Sequence, residues 1–185
     1  ALNGYYFLTA ADIATLTPDI QAVLTAAKWA STGTYGEFTD QSSFINAFDG
    51  WKDVANLGGN AIKRDSISDA KVYIAAVTGG PFSDGTKEGV GGVVVTLDPE
   101  TPNERRVILL NNIGGINDYT IGGGSYSLML HEIGHALGLN HSFAEPGKPA
   151  AVPAGTDSEK WSVMSYTNVP SRPITPQLYD VGVIQ

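Results

Sequence analysis

The 185-residue sequence contains no cysteine. That absence removes disulfides as a source of stability, removes thiolates as metal ligands, and excludes a cysteine switch within the chain as a latency device. It fits a secreted bacterial protein, and an extracellular location is the expectation. Basic residues are scarce: 11 Lys and Arg stand against 19 Asp and Glu, for a net charge of -8. Such a balance argues against nucleic acid or an anionic membrane surface as the main partner. No apolar run approaches the ~20 residues needed to cross a bilayer. The opening, ALNGYY, has neither an initiator Met nor a charged-then-apolar leader, as expected of a processed product or an excised domain. Of the residue types present, methionine, histidine and tryptophan are the scarcest, at two, three and three residues.

What the sequence does have is a hydrophobic content of 42 %, together with 22 glycines and 10 prolines. That composition describes a globular chain rich in loops and long enough for one cored domain. A strand is expected from Tyr5 to Leu8. TPDIQAVLTAAKWAS reads as a helix with Thr17 as N-cap, Pro18 in its first position, and Ile20, Val23, Leu24 and Ala27 on one face, ended by Gly33 and Gly36. SSFINAFDGWKDVANL reads as a second helix, with Phe44, Phe48, Trp51, Val54 and Ala55 at three-four spacing despite Gly50.

The middle of the chain is strand-like at 69–77, 89–97 and 105–112, separated by the turn clusters GGPFSDG and DPETPN. IGGGS ends on Ser125, the expected N-cap of YSLMLHEIGHALG, and the glycines before it read as a cap and loop. They are no phosphate cradle, which would need a Lys and a Ser or Thr. TPQLYDVGVIQ reads as a short closing helix with Thr175 as cap. This element order predicts an α/β sandwich with a mixed, twisted sheet.

All three histidines lie in HEIGHALGLNH, residues 131–141. Residues four apart on a helix are offset by about 40°, so His131 and His135 stack on one face and can aim at one metal ion. His141, six residues further on, would point away if the helix continued. Gly138 permits the left-handed backbone that ends a helix and turns the chain back, which lets His141 reach the same ion. Three neutral nitrogens leave one position open for water, as in a catalytic zinc site. Glu132 stands beside the pair, placed to act as a base without being a ligand.

His131-Glu132-x-x-His135-x-x-Gly138-x-x-His141 resembles the long zinc motif of the metzincin peptidases. Met164 in WSVMSYTN resembles their downstream Met-turn, and SVMSY is similar to the serralysin and astacin branches. HEIGHALGL, TPQLYDVGVIQ and WKDVANL…SDAKVYI look most like serralysins, with 10–41 as an insertion. The resemblance implies a two-lobed zincin fold made of one catalytic domain, 1–139 above and 140–185 below, acting as a monomer. It implies one catalytic Zn2+ held by His131, His135 and His141. Glu132 would be general base to the zinc-bound water, Tyr166 a second donor to the oxyanion, and Met164 apolar support beneath the metal. It also implies that 89–97 is an antiparallel edge strand on which a peptide pairs. The glycine–aspartate calcium repeats of serralysins have no counterpart in these residues, so calcium is compatible with the resemblance but has no motif of its own.

The expected activity is therefore zinc-dependent endopeptidase action on a protein or peptide substrate. Two alternatives remain open on the sequence. One is a zinc-binding recognition module without turnover, which would have no use for Glu132. The other is the catalytic domain of a larger toxin or effector.

Overall fold

The computed structural model describes residues 4–55, 57, 62–85, 89–115, 117–145, 147, 149–153 and 155–184. The chain divides into two compact units, Ala1–Gln41 with Gly59–Asn117, and Ser42–Gly58 with Asp118–Gln185. Its mixed sheet of five strands and its four helices agree with the metzincin-like α/β expectation. Among the described residues, no helix is long and apolar enough to cross a membrane.

The first unit is built on a sheet. Its central strand β3 (Val72–Ser83) pairs in parallel with β1 (Tyr5–Phe7) through residues 72–74 and with β5 (Arg105–Asn111) through residues 72–77. Strand β2 (Ser31–Gly36) runs antiparallel along the far half of β3, and β4 (Gly92–Leu97) runs antiparallel to β5 at the sheet's edge. Val72 to Val77 are all buried, as suits a strand paired on both sides.

Helix α1 (Ala10–Ala26) supplies Ile13, Leu16, Ile20 and Leu24 to a core shared with Ala75, Val77, Val95, Leu97, Val107 and Leu109. The helix starts eight residues earlier than the sequence suggests. Thr9 is its N-cap: the Thr9 hydroxyl accepts from the Asp12 N–H, and the Asp12 carboxylate accepts from the Thr9 N–H at 3.0 Å. Pro18 therefore lies inside the helix and Thr17 is not a cap. The proline is tolerated because it and Ala14, whose carbonyl loses its donor, both face solvent. Ala27 is exposed at the C-cap instead of sharing the apolar face.

STGTYG, with little apolar content, is a strand, and GGPFSDG is no simple turn, because β3 continues through it to Ser83. The two segments pair across register shifts at Thr32/Thr34 and Thr34/Tyr35. Gly33 sits there at φ +65, where an added Cβ would lie 2.9 Å from Val77, so this bulged pairing requires glycine.

Strand β4 lies at the edge, as expected. The Asn111 N–H donates to the Gly91 carbonyl at 2.8 Å. Alternation along the ladder then turns the N–H and C=O groups of Gly92, Val94 and Thr96 away from β5.

The second unit contains α2 from Ser42 onward, α3 (Gly124–Leu137), α4 (Leu178–Ile184) and a long stretch of coil; α2 itself spans Gln41–Ala55. Phe44, Phe48, Trp51 and Ala55 of the expected stripe are buried and Val54 is half-buried; of the expected continuation to Leu57, Asn56 lies outside the described residues and Leu57 is not helical. Helix α3 is capped by Gly123, not Ser125, which sits within the first turn. A Cβ at 123 would meet the Asp118 and Thr120 carbonyl oxygens at 3.0 and 3.1 Å, so the close turn before the helix selects glycine over a side-chain cap. Helix α4 begins after Thr175 and Pro176; the Gln177 N–H is held by the Asp180 carboxylate at 2.7 Å.

Candidate metal centre

Gly138 adopts the left-handed conformation at φ 104, and its N–H closes on the carbonyls of Gly134 and His135. Helix α3 therefore ends where the sequence places its stop, and the following coil returns His141 towards the helix. The ring centroids of His131 and His135 are 4.7 Å apart, those of His131 and His141 5.2 Å, and those of His135 and His141 4.6 Å. One ring nitrogen from each of the three lies within 4.8 Å of the other two.

The hydrogen bonds of these rings decide which nitrogens converge. Nδ1 of His131 lies 2.7 Å from the Val163 carbonyl, Nδ1 of His135 lies 2.8 Å from the Leu139 carbonyl, and Nδ1 of His141 lies 2.8 Å from Glu145 Oε1. Each acceptor oxygen selects the tautomer with hydrogen on Nδ1, which leaves a lone pair on every Nε2. The Nε2 atoms of His135 and His141 are then only 3.1 Å apart with no proton between them, a repulsive contact. A cation between the rings turns that repulsion into ligation. Two nitrogens about 2.0–2.1 Å from a tetrahedral ion stand roughly 3.3 Å apart, close to the spacing seen.

Charge points the same way. Burial, followed by repulsion from His135, pushes the pKa of His131 down to about 3, so its ring is neutral as a metal ligand must be. Glu132 is 4 % exposed, and its Oε2 has no hydrogen-bond partner. Burial alone pushes its pKa up to about 8. A carboxylate buried next to His131 along α3, its proton favoured by burial, suits a site built around a cation. The donor set fits zinc: three imidazole nitrogens, no thiolate, and an acid that can hold a proton.

Met164 lies beneath this helix. It is buried, and a Cβ added to Gly134 would fall 2.5 Å from its sulfur and 3.1 Å from Trp51 Cζ2. Gly134 thus lets the Met-turn and α2 both press against α3, and the Trp51 indole N–H donates to the Leu130 carbonyl at 3.0 Å. The turn also anchors two of the rings. Val163 accepts from His131, while the Met164 carbonyl accepts from Ser142 N–H at 3.2 Å, next to His141. Tyr166 is 53 % exposed, with its ring 5.5 Å from that of His131 and 4.7 Å from that of His141. All six residues singled out in the sequence are therefore close together in one unit.

Sequence reasoning missed the supports. Asp180, 1 % exposed, accepts from the Ser162 hydroxyl at 2.6 Å, the Val163 N–H at 2.9 Å and the Gln177 N–H. Burial raises its pKa while those donors pull it down. Glu159 accepts from Ser127 of α3, from the Val169 N–H and from Arg172. Phe143 stacks on His141 at 4.8 Å and 9°. The spacing of Asp180 three residues after Gln177 is the half of a capping box that could have been noticed; Glu159 and Phe143 carry no local signal.

Residues 112–177 match the family model described as metallo-peptidase family M12B, reprolysin-like. The matched stretch contains α3, the three histidines, Glu132, the Met-turn and Tyr166, and covers well under half of the chain. No curated protein matches the sequence. The match, which lies within the metzincin clan, supports zinc-dependent peptide hydrolysis in general. The His131, His135 and His141 group is the place where a metal can be held.

Proposed function

We propose that the chain is a zinc-dependent endopeptidase in which Glu132 is the general base and Tyr166 the oxyanion donor. The observation that carries this reading is the convergence of three Nε2 lone pairs beside a buried carboxylate whose Oε2 has no partner. His131, His135 and His141 would hold the ion. When bound, zinc supplies Lewis acidity, polarising a carbonyl group and making water acidic near neutral pH.

The remaining chemistry belongs to the chain. Glu132 takes a proton from the attacking water on its carboxylate and delivers it to the leaving amine nitrogen. Its seclusion from solvent keeps that proton in the site. The Tyr166 phenol donates a hydrogen bond to the carbonyl oxygen as negative charge develops there, an interaction stronger in the transition state than in the ground state. Met164 keeps α3 and the 163–166 turn in fixed register. Tyr166 and the SVMSY turn are also what favours a serralysin- or astacin-like branch over others of the clan.

Glu132→Gln keeps the shape of the side chain but removes the base. Zinc content should stay at one per chain while casein hydrolysis drops roughly 10²–10⁴-fold. Tyr166→Phe should lower kcat more than it raises KM. A fully active Glu132→Gln protein overturns the mechanism, and a wild type that takes up no zinc overturns the function.

The free edge of β4 is proposed to bind substrate backbone by strand addition, which would accept peptides of varied sequence. Val94 turns its N–H outward, so Val94→Pro should raise KM and leave zinc content unchanged. An unchanged KM would remove this edge from substrate binding.

A further inference from the structure

The three rings of the metal centre are not supported alike. His131 and His135 project from α3, so the helix sets their direction, and each gives its Nδ1–H to a neutral main-chain carbonyl. His141 lies beyond the left-handed turn at Gly138, on coil, where no helical backbone orients it. Its Nδ1 meets a carboxylate oxygen, Glu145 Oε1, at 2.8 Å. The two side chains are 15 % and 31 % exposed, so this contact is sheltered on the histidine side and reached by water on the glutamate side. Phe143 covers one face of the same ring and Tyr166 meets it edge-on. The single ligand that lacks a helix thus has a charged acceptor.

We propose that Glu145 is the positioning residue for His141: it fixes the Nδ1–H tautomer, aims the Nε2 lone pair at the ion, and strengthens the ring as a donor. The inference rests on the zinc reading and extends it to a residue outside the histidine motif. Aromatic contacts from Phe143 and Tyr166 hold the plane of a ring but do not choose between its two nitrogens. A ring flip would exchange Nδ1 with Cδ2 and Nε2 with Cε1, and so point a carbon inward. The carboxylate prevents that flip, because only one orientation gives the Nδ1–H its acceptor. A fixed negative charge also draws positive charge onto the imidazole and favours a cation bound on its far side. Neither carbonyl acceptor on the other two rings supplies that charge.

The experiment measures zinc affinity by chelator competition for wild type, Glu145→Gln and Glu145→Ala, with the imidazole tautomer of His141 read by nitrogen NMR in the zinc-free proteins. Wild type should show hydrogen on Nδ1. Glu145→Ala should lose about 10–100-fold in zinc affinity and show a mixture of tautomers. Glu145→Gln keeps an oxygen acceptor without the charge, so it should hold the tautomer and recover part of the affinity. Should the alanine variant fail to fold, the glutamine variant carries the test, because its loss then reports charge alone. An alanine variant within about twofold of wild type, or a glutamine variant equal to wild type, overturns the proposal, given the second-sphere losses expected. A wild-type protein that binds no zinc overturns the proposed function instead, so the two failures are distinguishable.

Discussion

In β3, Val72 to Val77 are exposed by 3 % or less, and all six side chains are aliphatic or aromatic. The segment 140–177 of the other unit forms no helix and no named strand among its described residues. Its joints are held by polar groups: Glu159 ties Ser127 of α3 to Val169 and Arg172, and Ser142 donates to Asp157 at 2.6 Å. Asp180, from α4, gathers the Ser162 hydroxyl and Val163 N–H of the turn around Met164 together with the Gln177 N–H that opens its own helix. Apolar packing tolerates small shifts, because dispersion and burial act in all directions. A carboxylate that accepts from three donors specifies positions and angles. The coil that must place His141 and Tyr166 next to α3 uses the second kind of contact.

This difference explains what the sequence made legible. Three-four spacing located α2, the glycines on either side bounded α3, and β-rich runs between turn clusters located β3, β4 and β5. The convergence of the three histidines was legible because its geometry is local: a helical turn, a glycine stop and a short return. Strand β2 was missed because pairing with β3, not hydrophobicity, makes STGTYG extended. The start of α1 was misplaced because the Thr-Pro signal at 17–18 is a common helix opening, while Thr9 and Asp12 form the actual box. The Glu159 contacts and the hold of Asp180 on Val163 join residues 10 to 32 positions apart, beyond the reach of any periodic pattern, whereas Asp180 with Gln177 and Glu145 with His141 are local.

The largest expected effect separates the two kinds of support directly. Asp180→Ala leaves the Ser162 hydroxyl and the Val163 and Gln177 N–H groups without their acceptor, and should cost roughly 3–5 kcal/mol in urea unfolding of the zinc-free protein. Because Val163 is also the acceptor for His131, zinc affinity under native conditions should fall about tenfold as well. Leu109→Ala in the sheet is the matching cavity, worth about 2–5 kcal/mol. Chelator competition on its folded form should give wild-type zinc affinity. Equal losses of affinity in the two variants would show that the polar supports have no special hold on the metal centre.

The smallest effects come from two glycines inside helices, and they sharpen the same contrast within one unit. Gly134 of α3 and Gly50 of α2 both lie mid-helix without a positive φ, so alanine suits the backbone at either position. Their surroundings differ. A Cβ at 134 would lie 2.5 Å from the Met164 sulfur and 3.1 Å from Trp51, both buried and both fixed by their own hydrogen bonds. Overpacking there should cost about 1–3 kcal/mol and push the Met-turn away from the helix, lowering activity with it. A Cβ at 50 would meet only Pro176 Cδ, at 3.6 Å, an ordinary contact. Gly50→Ala should therefore stabilise the protein by about 0.4–1 kcal/mol, through lower entropy of the unfolded chain, with hydrolysis unchanged. For a chain of this length that is a rise in Tm of roughly 1–4 °C. Calorimetry on both variants reads the pair together. Two stabilised proteins would mean that Met164 and Trp51 yield easily, and that the close approach at Gly134 does not hold the site in place.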